Sequence, residues 1–349
     1  MNTIKTISWK LSMMPFLNLL LGRSVKWICI FSFLPETFNP FLKYKCQDFV
    51  GWGLRKPSIS IRAYCNKYQR IFIALEDGFL RSYNTAELSP LLSLIVDQSS
   101  VYYESRHPSD LETTINDVSL DSMDVMSQVK LSRDAILRFQ LSKYNHAPDL
   151  NDGVLRPNDL AGVLVVDQTY GDMSVVCGGA SEASFSDMLD AALAENPEAT
   201  IYIKTHPEVT SGRKKGYLTH IQDSDRIVMI RDDVNPIDLI QKMDKVYVVT
   251  SQMGFEALMC SKPVVCFGVP WYAGWGLTDD RVKGSPAWER RTKKRTVDEL
   301  FAAAYIYYTR YLNPFTHKRG KITDVINWLI LQKKMTHNPF IRDFSSSEI

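Results

Sequence analysis

From residue 162 onward, short apolar runs alternate with amphipathic stretches. GVLVVDQ (162–168) is apolar up to Asp167, the pattern of a strand buried on both faces of a parallel sheet. SFSDMLDAALAENP predicts an amphipathic helix with Ser184 as its N-cap. ATIYIKTHP, DRIVMIRD, KVYVVTS and PVVCFG predict further strands. NPIDLIQKMD, with Pro236 in its first turn, and GFEALMCSK predict helices between them. Alternation at this spacing predicts a doubly wound α/β domain. Earlier in the chain, IFIAL, LLSLIVD and VYY predict strands between residues 71 and 103. Residues 107–160 are polar, with a helical patch (DAILRFQLSKY) and turn clusters, and predict a link between two domains, 1–155 and 156–349. The tail segments VDELFAAAYIYYTRYL and ITDVINWLILQKK predict two amphipathic helices.

The N-terminal stretches LSMMPFLNLLLG and VKWICIFSFLP are apolar but broken by Pro15, Arg23, Lys26 and Pro35. Both fall short of the ~20 residues of a spanning helix, so they are expected in a domain core. Length and composition agree with two globular domains: 349 residues, 45% hydrophobic and 23% charged. A net charge of +2 gives no bulk argument for nucleic acid. Two basic runs, Arg213–Lys215 and Arg290–Arg295, are expected as solvated surface; attraction to an anionic membrane or polymer is the second reading. The six cysteines form no C-x-x-C pair and have no histidine at zinc spacing, which predicts buried free thiols in a reducing cytosol.

Ligands of open parallel sheets bind beyond the carboxyl ends of the strands. The unusual polar residues fall there. Gln168 and Asp172 follow GVLVV; Lys204, His206 and Pro207 follow ATIYI; Thr250 and Ser251 follow KVYVV. Lysine and histidine suit a phosphate, and histidine can protonate a leaving oxygen. TSQMGFEALM joins two hydroxyls, Gly254 and a helix start, where free N–H groups suit a phosphate and Glu256 a ribose diol; helix capping alone would also use these residues. GVPWYAGWGL (268–277) holds three glycines, two tryptophans and a tyrosine, a composition for stacking on a sugar or base, or for a packed loop. Asp172, in a glycine-containing turn, suits a nucleophile, a base or a turn former. In the other half, RIFIALEDGFLRS sets Glu76 and Asp77 at the end of a buried strand, as chemistry or as a cap. Polar strand ends in both halves predict a cleft between two domains.

Seven stretches together carry a family resemblance: GWGLRKPS (51–58), LEDGFLRS (75–82), SLIVDQSSVYYESRHPSDLE (93–112), VLVVDQTYGDMSV (163–175), IKTHPEV (203–209), GFEALMCSKPVVCFGVPWYAGWGLT (254–278) and YLNPFTHKRGKITDVINWL (311–329). The chain resembles the capsule polysaccharide β-Kdo transferases of the KpsC/LipA type, over about residues 50 to 330. The resemblance implies a GT-B-like α/β fold of two Rossmann-like domains with an interdomain cleft. The N-terminal domain would face the acceptor and the C-terminal one bind CMP-Kdo. It implies retention of the β-linkage and no cofactor or metal, because the CMP diester has no pyrophosphate to neutralise.

Residue by residue, the resemblance makes Asp172 the nucleophile of a double displacement and Glu76, or else Asp77, the acid/base for the acceptor hydroxyl. Lys204, His206 and Pro207 would meet the leaving phosphate, as would Gln168, Thr250, Ser251 and the backbone from Gly254. Glu256 would hold the ribose, and Trp271, Tyr272 and Gly274 would shape the donor pocket. The implied partners are CMP-Kdo and a glycan or lipid-linked saccharide, not nucleic acid, in the cytoplasm with peripheral contact to the inner membrane or to other polysaccharide-assembly proteins. Two departures stand out: YNTAELSP (83–90) replaces a glycine-rich loop, and one module is present where capsule enzymes carry two. They leave acceptor identity open. The alternatives are another CMP-linked ulosonic acid, a UDP-sugar donor, or a non-catalytic glycan-binding protein of the same fold.

Overall fold

A computed structural model describes residues 3–28, 47–85, 88–117, 119–151, 153–156, 161–206, 209 and 212–336. The chain forms two compact α/β units. Five strands come first: β1 (Thr3–Thr6), β2 (Ser24–Trp27), β3 (Phe49–Trp52), β4 (Phe72–Asp77) and β5 (Ser93–Asp97). Six follow in the second unit: β6 (Gly162–Val166), β7 (Thr200–Lys204), β8 (Ile227–Ile230), β9 (Lys245–Val248), β10 (Val264–Cys266) and β11 (Asp279–Asp280). The chain then returns to the first sheet with β12 (Thr309–Asn313) and β13 (Lys318–Gly320).

The units divide elsewhere than at residue 155. The first comprises 1–101, 109–111 and 304–349; the second comprises 102–108 and 112–303. The polar stretch expected as a link contains helices Asp110–Asp117 and Met123–Arg138, and Val129 and Ile136 of the latter are fully buried. Burial of an amphipathic face makes it part of a unit rather than a linker. YYTRYL was expected to extend a helix. Instead Thr309–Asn313 pairs antiparallel with β5, because its β-branched and aromatic residues suit a pleated surface. VYY (101–103) forms no strand, while ITDVINWLILQKK is helical as expected, within Ile322–Thr336.

The second sheet is parallel throughout, in the order β11-β10-β9-β6-β7-β8. Counted from β6 as the first strand, that is the Rossmann order, and it reverses between β6 and β9. Phe185, Met188, Leu189 and Ala192, on helix Glu182–Glu195, bury against Val163, Val165, Ile201 and Ile203 of β6 and β7. Ser181, not Ser184, caps that helix; Ser184 is the reciprocal partner of its capping box. Asn235 caps helix Pro236–Gln241 by accepting the N–H groups of Ile237 and Asp238.

The first sheet has the order β13-β12-β5-β4-β3-β1-β2, with β1 to β4 parallel and β5 reversed. Leu11, Leu17, Leu20 and Leu21 of the N-terminal apolar stretch are buried on it, with Ile73, Leu75, Leu94 and Leu312. These leucines put one side of the first stretch in the core, while Met13 and Leu19 are exposed; most of VKWICIFSFLP lies outside the described residues. Among the described residues no helix is long and apolar enough to cross a membrane. Cys65, Cys177 and Cys266 are buried free thiols and Cys260 is half-buried; Cys29 and Cys46 lie outside the described residues. The fold class is the expected one: α/β, in two units, the second of which has the Rossmann strand order.

Candidate active site

In the second unit the polar strand ends of β6 and β9 meet at the reversal point of the sheet. Gln168 bridges them: its Oε1 accepts the Thr250 N–H at 2.9 Å, and its Nε2 donates to Thr250 Oγ1 at 3.1 Å and Ser174 Oγ at 3.3 Å. Two glycines make room for this knot. A Cβ on Gly178 would lie 2.5 Å from Thr250 Cγ2, and one on Gly268 would lie 2.7 Å from it. Gln168, nearly fully buried, therefore shapes the rim from beneath.

Asp172 caps the short helix Met173–Cys177, its Oδ1 accepting the Ser174 N–H at 2.9 Å. The carboxylate is half-buried, and Gly171 before it turns through a φ of 77° that a glycine adopts without strain. Asp167, five positions earlier, stands at the end of the same apolar strand run. It is buried, and its Oδ1 accepts the N–H groups of Gln168, Tyr217 and Leu218. Burial pushes its carboxyl up to about 6. It ties the end of β6 to residues 216–218, the segment after the exposed basic run Arg213–Lys215.

Lys204 ends β7 in a buried position. Its ammonium donates to the carbonyls of Thr205 at 2.9 Å and Asp232 at 3.0 Å, so one of its three protons is left for a ligand. Burial lowers its pKa to about 8, against the pull of Asp233 and Asp232. His206 follows, half-buried, with Asp233 in electrostatic reach. Asp233 also pairs with His146, Nε2 to Oδ2 at 3.0 Å. His146 and Asp233 carried no sequence signal, because the chain brings them together only through β7 and β8. Pro207 lies outside the described residues.

Ser251 Oγ accepts the Met253 N–H at 3.2 Å at the start of helix Met253–Met259. Gly254 has a specific steric cause: a Cβ there would lie 2.1 Å from the Tyr272 hydroxyl, which donates to Ser251 O at 2.5 Å. Glu256 is 2% exposed and accepts a hydrogen bond from Ser142 Oγ at 2.6 Å. Burial raises its carboxyl to about 7. These facts favour a supporting role over a direct bond to ribose.

The aromatic loop corrects an expectation. Trp271, Tyr272 and Trp275 are buried, Trp271 packing on Phe255 with ring centroids 4.5 Å apart. Gly274, at φ 83°, is required because a Cβ would lie 2.6 Å from the Trp288 ring. The rings belong to the core of the unit and hold the loop in shape, so they offer no stacking platform.

The second basic run is interior at Arg291 and half-buried at Arg290 and Arg295, while Lys293 and Lys294 are exposed. Arg291 is 5% exposed; it donates to Glu112 Oε2 at 3.0 Å and to the carbonyls of Pro270 and Ala273 at 2.7 and 2.8 Å. Arg290 donates to Glu112 Oε1 at 2.5 Å, and Arg295 to Glu299 at 2.7 Å. Much of the run clamps the aromatic loop to helix Asp110–Asp117 rather than facing solvent.

In the first unit, Glu76 and Asp77 end β4 with partly buried side chains. Asp77 Oδ1 accepts the Arg81 Nε–H at 2.8 Å, and the same buried guanidinium reaches Ser82 Oγ at 2.8 Å and Ser89 O at 3.2 Å. Gly78 is demanded by Ser93, whose Oγ would lie 2.1 Å from a Cβ. Glu76 Oε1 accepts the Asp77 N–H at 3.2 Å, whereas Asp77 anchors the following loop through Arg81. Among the described residues no group of three His, Cys, Asp or Glu side chains is placed to hold a metal ion.

A model of the capsule polysaccharide biosynthesis protein family matches residues 47–311. The chain belongs to that family. It is 47% identical over 319 residues to the capsule polysaccharide modification protein LipA of Neisseria meningitidis serogroup A, covering 90% of this chain and 45% of LipA. It is 38% identical to the lipopolysaccharide-processing protein LpsZ of Rhizobium meliloti, over 84% of this chain and 66% of LpsZ. The chain spans about half the length of the LipA proteins it matches. Among solved structures it is similar to Thermosulfurimonas dismutans KpsC, β-Kdo 2,4 transferase, at 42% identity and a TM-score of 0.83, covering 94% of this chain and 98% of that one. KpsC β-Kdo 2,7 transferase of the same organism follows, at 25% identity and 0.68, covering 95% of this chain and all of that one.

Proposed function

We propose that this chain is a retaining β-Kdo transferase, moving Kdo from CMP-β-Kdo to a saccharide of a surface polysaccharide or glycolipid. The similarity to a solved β-Kdo 2,4 transferase over nearly the full length of both chains carries this reading. The Rossmann order of the second sheet, with its polar rim at the reversal point, supports a nucleotide-sugar donor.

In this reading Asp172 Oδ2 attacks the anomeric carbon of Kdo while Oδ1 stays held by the Ser174 N–H. The bond to the CMP phosphate oxygen breaks, and CMP leaves with both bonding electrons. Lys204 and His206 offset the charge on that phosphate, together with Ser251 and the backbone near Gly254. Glu76 then takes the proton of the acceptor hydroxyl, whose oxygen displaces Asp172 and restores the β-configuration. Asp77, held by Arg81, is the support of Glu76 rather than the base. No metal is required, since the donor carries a single phosphate. The acceptor is a glycan or lipid-linked saccharide on the cytoplasmic side of the inner membrane.

The test is incubation with CMP-Kdo generated in situ and a panel of saccharide acceptors, read by mass spectrometry. A Kdo increment that survives EDTA is expected, and Asp172→Ala should lower its rate at least ~10³-fold. Absence of transfer together with absence of CMP binding by calorimetry overturns the reading. Transfer by Asp172→Ala at the wild-type rate overturns the nucleophile.

A further inference from the structure

A cavity of about 210 Å³ lies wholly within the first unit, among Phe16, Tyr83, Asn84, His317, Trp328 and Gln332. Its walls come from three distant parts of the chain. Phe16 and His317 both stand in the left-handed region, φ 61° and 55°, and their rings pair there with centroids 5.3 Å apart. Non-glycine residues seldom adopt that conformation, and it turns both rings toward each other. Trp328 is braced edge-on by Phe315 at 5.8 Å. The floor includes Leu92 and Leu312 at the start of β5 and the end of β12. Because β5 runs antiparallel to β4, that is the end of the sheet at which Glu76 and Asp77 stand.

The wall is also bonded to the carboxylate pair. Arg81 joins Asp77 to Ser82 Oγ and Ser89 O, and Ser89 Oγ accepts the Asn84 N–H at 3.2 Å. Tyr83, Asn84 and Ser89 belong to YNTAELSP, the segment that follows the carboxylate pair in the chain.

We propose that this cavity binds one uncharged pyranose residue of the acceptor. Ring faces meet the weakly positive C–H face of a sugar, while the Asn84 and Gln332 amides and the Ser89 hydroxyl suit its hydroxyl groups. None of the described lining residues is Lys, Arg, Asp or Glu, so among them no permanently charged cation compensates the carboxylate of an ulosonic acid. The volume lies below the ~300–1,000 Å³ of drug-sized sites, which suits one ring rather than two. Calling the ligand part of the acceptor rests on the transferase reading.

The experiment is saturation-transfer NMR and calorimetry on the whole chain without donor, using methyl glycosides of neutral hexoses, the methyl β-glycoside of Kdo, and CMP. Expected is binding of at least one neutral pyranoside, weakened at least fivefold by Tyr83→Ala and by Gln332→Ala, with CMP binding unchanged. Melting curves verify that both variants fold, and Tyr83→Phe should retain most of the affinity. CMP binding without binding of any neutral pyranoside overturns the proposal and leaves the transferase reading standing. Pyranoside binding that ignores both variants, or tighter binding of the Kdo glycoside at the same site, also overturns it. Pyranoside binding without CMP binding upholds the cavity and counts against the donor reading.

Discussion

Asp77 and Glu76 are neighbours of identical chemical type with different surroundings. Asp77 faces a guanidinium that is 7% exposed, and Glu76 sits one pleat away on the opposite face of β4. Removing the Asp77 carboxylate leaves Arg81 charged and buried beside the neutral acceptors of Ser82 and Ser89, without its Asp77 counter-charge. Asp77→Ala should therefore lower stability by about 2–4 kcal/mol, measured by urea unfolding. Adding Arg81→Met should restore part of that loss, as the coupling in a double-mutant cycle. A double-variant effect equal to the sum of the two single-variant effects would refute the pairing. The Glu-Asp-Gly order was legible in the sequence, but which carboxylate carries the Arg81 ion pair was not. That depends on Arg81 folding back across a turn.

At the level of elements, the sequence disclosed most of the strands and helices of the second unit, because buried parallel strands and amphipathic helices each leave a periodic trace. It misread Arg290 and Arg291 as surface, whereas Lys293 and Lys294 of the same run are exposed as expected. Glu112 lies on a different helix, and a charge run shows no sign of whether its partner is water or a distant carboxylate. The Glu112–Arg291 pair predicts a large effect: both side chains are under 5% exposed. Glu112→Ala should cost about 3–5 kcal/mol, since it strands a buried guanidinium. Differential scanning calorimetry would show it as a drop in the melting temperature of the second unit. Glu112→Gln should recover part of the loss through a neutral hydrogen bond.

For the whole molecule, burial of carboxyl groups sets the pH dependence of stability. Asp97 and Asp167 are raised to about 6 and Glu256 to about 7, in each case chiefly by burial. A carboxyl raised in the folded state keeps its proton where the unfolded chain has lost it. Its contribution is therefore full below about pH 4 and is lost as pH rises through 6 to 7. Lys204, lowered to about 8, acts in a different window, its contribution being lost as pH falls from about 10 through 8. Glu256→Gln should remove the Glu256 part. Relative to wild type it should melt higher at pH 8 than at pH 5, by a difference on the order of 3 kcal/mol. A pH-independent difference would mean that Glu256 is ionised throughout.

The sequence by itself determined the α/β class, the two-unit plan, the family and the residues that gather at strand ends, because these follow from local periodicity and from short motifs. Tertiary structure alone decided where the units divide, with β12 and β13 returning to the first sheet, since strand pairing across the chain leaves no local trace. It also decided that Trp271 and Tyr272 are core, and that Gly254 yields to the Tyr272 hydroxyl. The placement of His146 beside Asp233 was likewise beyond the sequence. Each of these depends on which side chains meet across long separations, a packing outcome that composition and periodicity do not encode.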